Sequence, residues 1–172
     1  MVNTKLNLSV NELFGNSGDR RESESKPDPL SFSNFQGDEH EYLTKYPFES
    51  FDSIPKDSTG FNYPKYNELN FIVPTIYEER SIEIVNVDGL ILIEQLGKGA
   101  FCIDPRRWHR IKQYIANGTV VYPESSNKFS VLDGRHRSLL LMQIYNRRKI
   151  PVVVEKCHLE FFMFEAKRLN AL

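Results

Sequence analysis

The sequence predicts an α/β domain, a mixed α+β sheet with helices packed on it, preceded by an extended N-terminal arm. Three observations predict it. From about residue 76 onward, short apolar runs of strand character alternate with segments of helical period. The run IPVVVE at 150–155 is apolar through its first five residues, as a strand buried on both faces is. Residues 15–41 are rich in Ser, Gly and Pro and poor in aliphatic side chains, so they bury too little apolar area to offset the entropy of ordering.

Three regions follow. Residues 1–41 form a flexible or partner-ordered N-terminal segment, with one amphipathic patch in which Ser9 and Glu12 match a capping box. Residues 42–75 form an aromatic, proline-rich extended arm. Tyr42, Tyr46, Phe48, Phe51, Phe61, Tyr63, Tyr66 and Phe71 are scattered among Pro47, Pro55, Pro64 and Pro74 without a helical or strand period. Such rings dock onto the domain surface or anchor a partner protein. Residues 76–172 form the α/β domain itself.

Within that domain, SIEIVNVDGLILIEQ reads as two strands around an Asp88-Gly89 hairpin turn. GKGAFCIDP reads as a loop and short strand. DPRRWHRIKQYIANG carries the marks of a helix: Asp104 as N-cap, Pro105 at the first helical position, and Gly118 after the end. Its core stripe is Trp108, Ile111 and Ile115. TVVYP and KFSVLD are short strands, residues 135–146 a second helix, and IPVVVE the buried strand. In the tail, Leu159, Phe162, Met163, Ala166 and Leu169 recur at helical spacing.

The net charge of −1 hides an asymmetry. Residues 1–60 carry 6 Lys/Arg and 11 Asp/Glu, whereas 61–172 carry 16 and 12. Between Lys98 and Lys149, 11 bases face only Asp104, Glu124 and Asp133. A basic field of this kind suits a phosphate-bearing ligand, and equally a solvated surface. Cys102 and Cys157 lack CxxC spacing and read as buried free thiols in a reducing, cytoplasmic protein. No run approaches the roughly 20 apolar residues of a membrane span, so membrane insertion is not expected.

The chemistry concentrates at Asp133-Gly134-Arg135-His136-Arg137, where a strand enters a helix. The first N–H groups of a helix lack intrahelical acceptors, and the helix dipole makes that end positive. An anion, above all a phosphate, is stabilised there. Gly134 permits a tight turn and close approach of a ligand to the backbone. Arg135 and Arg137 sit where the dipole disfavours cations, a conflict that a bound anion relieves. Ser138 lies in the same turn. His136 donates to a phosphate, transfers a proton, or is a structural histidine. Asp133 caps the helix, orients Arg137 or holds a metal, with capping the commonest use. No HxH, HExxH or aspartate cluster indicates a metal site. The GKGAF segment lacks full P-loop spacing.

From Ile103 to Val154 the chain resembles the ParB/sulfiredoxin superfamily. The parts in order are a helix ending in Gly (Ile111–Gly118), Pro123, a strand entering a G-x-H-R box (Val131–Arg137), a helix (Ser138–Asn146) and an IP-V strand (Ile150–Val154). The resemblance implies an α/β domain binding ATP or another nucleotide triphosphate, with or without magnesium, with phosphates at the box helix, where Gly134, His136 and Arg137 carry over. Arg135 and Ser138 join the expected phosphate-binding set from the charge and position of the corner itself. The expected catalytic residues are His136 and Arg137, which carry over, with a carboxylate from Glu94, since relatives carry one on the early strand or loop, or from Asp133 at the corner. Sulfiredoxins have Cys before the His-Arg pair, where this chain has Arg135, so sulfinic-acid reduction is not expected. Partition proteins continue into a helix-turn-helix region, whereas 18 residues follow Val154 here. The nearest remaining relatives are stand-alone members such as plasmid fertility-inhibition factors.

The expected function is therefore phosphoryl or phosphodiester hydrolysis, as an ATPase or nuclease, in a protein that inhibits conjugative DNA transfer. The alternatives are a non-catalytic inhibitor that binds DNA or a protein of a DNA-transfer or defence system through its basic face and aromatic arm, and a small-molecule (amino-acid) kinase.

Overall fold

The computed structural model describes residues 47–57, 60–77, 80–125 and 127–172. The segment 1–41, with its Ser9–Glu12 patch, and the rings of Tyr42 and Tyr46 lie outside the described residues. Four α-helices and two sheets make a mixed α/β fold among the described residues.

The main sheet has β2 (Ile82–Asp88) at one edge, then β6 (Lys149–Glu155), β4 (Glu124–Ser125) and β5 (Val131–Asp133). β2 runs antiparallel to β6 in an unbroken register from Ile82↔Glu155 to Asp88↔Lys149. β4 is parallel to β6 and antiparallel to β5. β6 is central, and Ile150 through Val154 are buried, as its continuous apolar run requires. A second, two-stranded sheet pairs β1 (Asn70–Ile72) in parallel with β3 (Thr119–Val121).

The helices are α1 (Gly89–Glu94), α2 (Pro105–Ala116), α3 (Arg135–Tyr145) and α4 (Lys156–Arg168). α2 begins as its sequence dictates, with the Asp104 carboxylate accepting from the N–H groups of Arg106 and Arg107 and with Pro105 in the first turn. Trp108 and Ile115 enter the core, and Ile111 packs at its edge. In α3, Ser138 to Met142 are all buried, so this helix is enclosed on every side rather than amphipathic. Each fully buried Leu there contributes about 1.5–3 kcal/mol of apolar burial. In α4, Phe162 and Ala166 are buried, and Leu159, Met163 and Leu169 pack beside them.

The expected hairpin at Asp88-Gly89 is not formed. Asp88 ends β2 and caps α1, its carboxylate accepting from Leu90 N–H at 3.0 Å and Ile91 N–H at 3.1 Å. Gly89 is required by close packing, because a Cβ there would lie 2.8–2.9 Å from Ile150 and Met142 side-chain atoms. Cys157 also departs from expectation, being exposed rather than buried.

The described part of the aromatic stretch packs against the domain. Phe48 and Ile54 are buried, and Phe51, Tyr63, Tyr66 and Phe71 lie against the core. Gln143 of α3 donates to the Pro55 carbonyl at 2.9 Å. Lys112, fully buried in α2, meets the Asp57 carboxylate at 3.0 Å. The strand β1 within this stretch was not visible as a period, because three residues are too few to show one. No helix among the described residues is long and apolar enough to cross a membrane.

Candidate functional site

A cleft of about 530 Å³ opens beside the start of α3. One wall is α2, through Arg107, Arg110, Ile111, Tyr114 and Ile115. β3 supplies Thr119 to Val121, β5 supplies Val131 to Asp133, and the corner supplies Gly134 to Arg137. Leu96 closes one side. Four arginines therefore converge with a single carboxylate, Asp133, among the lining residues. The volume falls within the range of small-molecule sites.

Gly134 is the N-cap of α3 at φ +97°, a left-handed conformation that L side chains rarely adopt. It brings no side-chain acceptor, so no side chain caps the helix start. The first intrahelical backbone bond runs from Ser138 N–H to Gly134 C=O at 2.9 Å. Asp133 does not cap; its Oδ2 takes Nη2 of Arg137 at 2.5 Å and holds that guanidinium over Gly134. The Asp133 side chain keeps 66% of its surface exposed at the cleft.

Arg135 donates from Nη1 to the Gly99 carbonyl at 2.6 Å, and no carboxylate pairs with it among the described residues. Burial is the main cause of a pKa drawn below the usual arginine value, with Arg107 adding to the effect. The Nε atoms of Arg135 and Arg137 are both buried without a hydrogen-bond partner among the described residues. Desolvated guanidinium donors of this kind are costly unless an anion engages them. The GKG turn thus meets Arg135 through a carbonyl oxygen.

His136 is buried, and its Nε2 accepts the backbone N–H of Asp104 at 2.9 Å. An accepting Nε2 places the proton of the neutral ring on Nδ1. Burial, followed by the charges of Arg135, Arg107 and Arg137, lowers its pKa to about 3. The ring therefore stays neutral near pH 7 and ties the start of α3 to the start of α2.

The remaining expected site residues are dispersed. The Ser138 hydroxyl is fully buried, without a hydrogen-bond partner among the described residues, and does not line the cleft. Glu94 is exposed at the last position of α1 and is not among the lining residues. Sequence reasoning missed Arg107 and Arg110 as cleft residues, although their spacing of one helical turn on α2 is a readable signal that both face one side. No protein-family model matches this chain, and comparison with curated proteins and with solved structures finds no match.

Proposed function

We propose that the cleft binds a phosphorylated ligand, a nucleotide triphosphate in the reading that the ParB/sulfiredoxin resemblance implies. The observation that carries this is Arg135: a largely desolvated guanidinium that makes no ion pair among the described residues, beside a helix start without a side-chain cap there. The phosphates sit against the N–H groups that open α3 and against Arg135 and Arg137, while Arg107 and Arg110 balance charge from α2. The apolar wall of Ile111, Val120 and Val131, with Tyr114 at the rim, accommodates the organic part.

For turnover as an ATPase or nuclease, Asp133 is the one carboxylate in place. A magnesium ion held by one carboxylate plus ligand phosphates is a normal arrangement, and it would supply charge neutralisation at the phosphoryl group. The arginines stabilise the charge that develops in transfer. His136 serves by position rather than as an acid–base group.

Calorimetric titration with a nucleotide panel and inorganic triphosphate, with and without magnesium, tests the reading. Binding is expected to weaken at least tenfold in Arg135→Ala and in Arg137→Ala. Absence of any heat at millimolar ligand, or equal affinity in both variants, removes it. ATP hydrolysis and plasmid nicking then separate binding from turnover, and transfer to an amino acid identifies a kinase.

A non-catalytic nucleic-acid reading is favoured by the rim, where exposed Arg107 and Arg110 stand with Tyr114, 55% exposed. Cations interleaved with an aromatic ring suit single strands. Affinity for such strands would fall steeply with salt. Inhibition of conjugative transfer is compatible with either chemistry.

A further inference from the structure

At the C-terminal end of β6 the chain turns directly from strand to helix through Glu155-Lys156-Cys157-His158. Ligand atoms of Glu155, Cys157 and His158 all lie within 4.8 Å of one another. We propose that these three side chains form a binding site for a borderline-soft divalent cation of the zinc class.

The donor set decides the class of ion. One thiolate, one imidazole and one carboxylate match zinc and its neighbours in the first transition row, whereas calcium and magnesium take oxygen donors. The spacing is close to what coordination needs. Metal–ligand bonds of about 2.0–2.3 Å put tetrahedral donors roughly 3.3–3.8 Å apart. Cys157 Sγ already lies 3.8 Å from Glu155 Oε2. The remaining gap is at most about 1 Å, since the three donors lie within 4.8 Å of one another.

Two further features support the site. Arg80 holds the other carboxylate oxygen, with Nη1 2.6 Å from Glu155 Oε1, and so orients Oε2 toward the thiol as outer-shell partners of metal ligands do. Glu155 and His158 also line a hollow of about 290 Å³ with Ser125 and Asn127, leaving room for a fourth ligand or water. The charges close acceptably. Glu155 and a Cys157 thiolate offset the divalent ion, and Arg80 leaves the assembly at +1. Binding displaces the thiol proton to solvent, with no change of oxidation state.

The test is titration of the full chain, stripped with chelator, with Co²⁺ alone and then with Zn²⁺ as competitor. One equivalent of Co²⁺ is expected to bind with a thiolate-to-cobalt charge-transfer band that Zn²⁺ abolishes. Cys157→Ser should remove the band. His158→Ala and Glu155→Gln should weaken binding by more than the roughly 10–100-fold typical of outer-shell changes. Cys102→Ser should bind like the unaltered chain. Circular dichroism confirms folding of each variant, and exposure of Cys157 makes its replacement structurally mild. The proposal is overturned by a missing band in the unaltered protein, by a band that survives Cys157→Ser, or by unchanged affinity in His158→Ala.

Discussion

Nε2 of His136 accepts the backbone N–H of Asp104 at 2.9 Å, across 32 residues of chain. That bond joins the first turns of the two helices that flank the arginine cleft, and it holds only while the ring is neutral at Nε2. The residue that most resembles a catalytic acid in the sequence is thereby committed to architecture.

Stability should consequently fall on mild acidification. The folded pKa of His136, about 3, lies below the unfolded value near 6.5, so the unfolded chain binds the extra proton first. Its contribution is complete above pH 6.5 and is lost as pH falls toward 3. Between pH 7 and pH 5 the loss from this group is about 2 kcal/mol. Urea unfolding at the two pH values measures it, and His136→Asn should flatten the difference. An equal pH dependence in the variant would assign the effect to other groups.

Arg135 should separate binding from stability. Its guanidinium is desolvated and engages one carbonyl, so Arg135→Met should leave the urea midpoint unchanged or raised. Phosphate-ligand affinity should nonetheless drop at least tenfold. A destabilised variant with unaltered binding would make Arg135 a structural residue.

Two of the four left-handed glycines among the described residues, Gly118 and Gly134, should differ in cost. Gly118, at φ +76°, has nothing within 4 Å of a built Cβ, so Gly118→Ala incurs only backbone strain, roughly 1–2 kcal/mol. At Gly134, φ +97°, the Cβ would also stand 2.9 Å from the Pro123 Cα and from Arg137 side-chain nitrogens. Gly134→Ala should therefore cost more in denaturant unfolding and should displace Arg137 from the cleft. Equal costs at the two positions would contradict the packing argument.

Asp57 and Lys112 should behave as a buried charge pair. Lys112 is 0% exposed, and Tyr63 also donates its hydroxyl to Asp57. Asp57→Asn leaves a buried ammonium without that carboxylate, an expected cost of about 3–5 kcal/mol. Adding Lys112→Met to Asp57→Asn should recover much of the loss, and additive destabilisation in the double variant would refute the pairing.

The site was legible in part. Asp133 through Arg137 stand together at a strand-to-helix corner because a glycine and the neighbouring pattern specify that corner locally. The companion arginines on α2, and the exclusion of Glu94 and of the Ser138 hydroxyl from the cleft, depend on how α2 and α3 pack, which no local pattern states. Glu155, Cys157 and His158 were likewise adjacent in the sequence without any familiar ligand spacing, and only the strand-to-helix turn points them at one another.

By itself the sequence determined the mixed α/β class, the central burial of Ile150 to Val154, and the span of α2 between Asp104 and Gly118. Caps, prolines and apolar period act over a few residues, so they survive without knowledge of neighbours. Tertiary structure alone decided that Asp88-Gly89 opens a helix rather than a hairpin, because Gly89 must clear Ile150 and Met142. It also decided that His136 is a neutral acceptor, since its burial and its partner lie on elements distant in the chain. Desolvation and packing are properties of what folds against a residue, and that is settled only when the whole chain has closed.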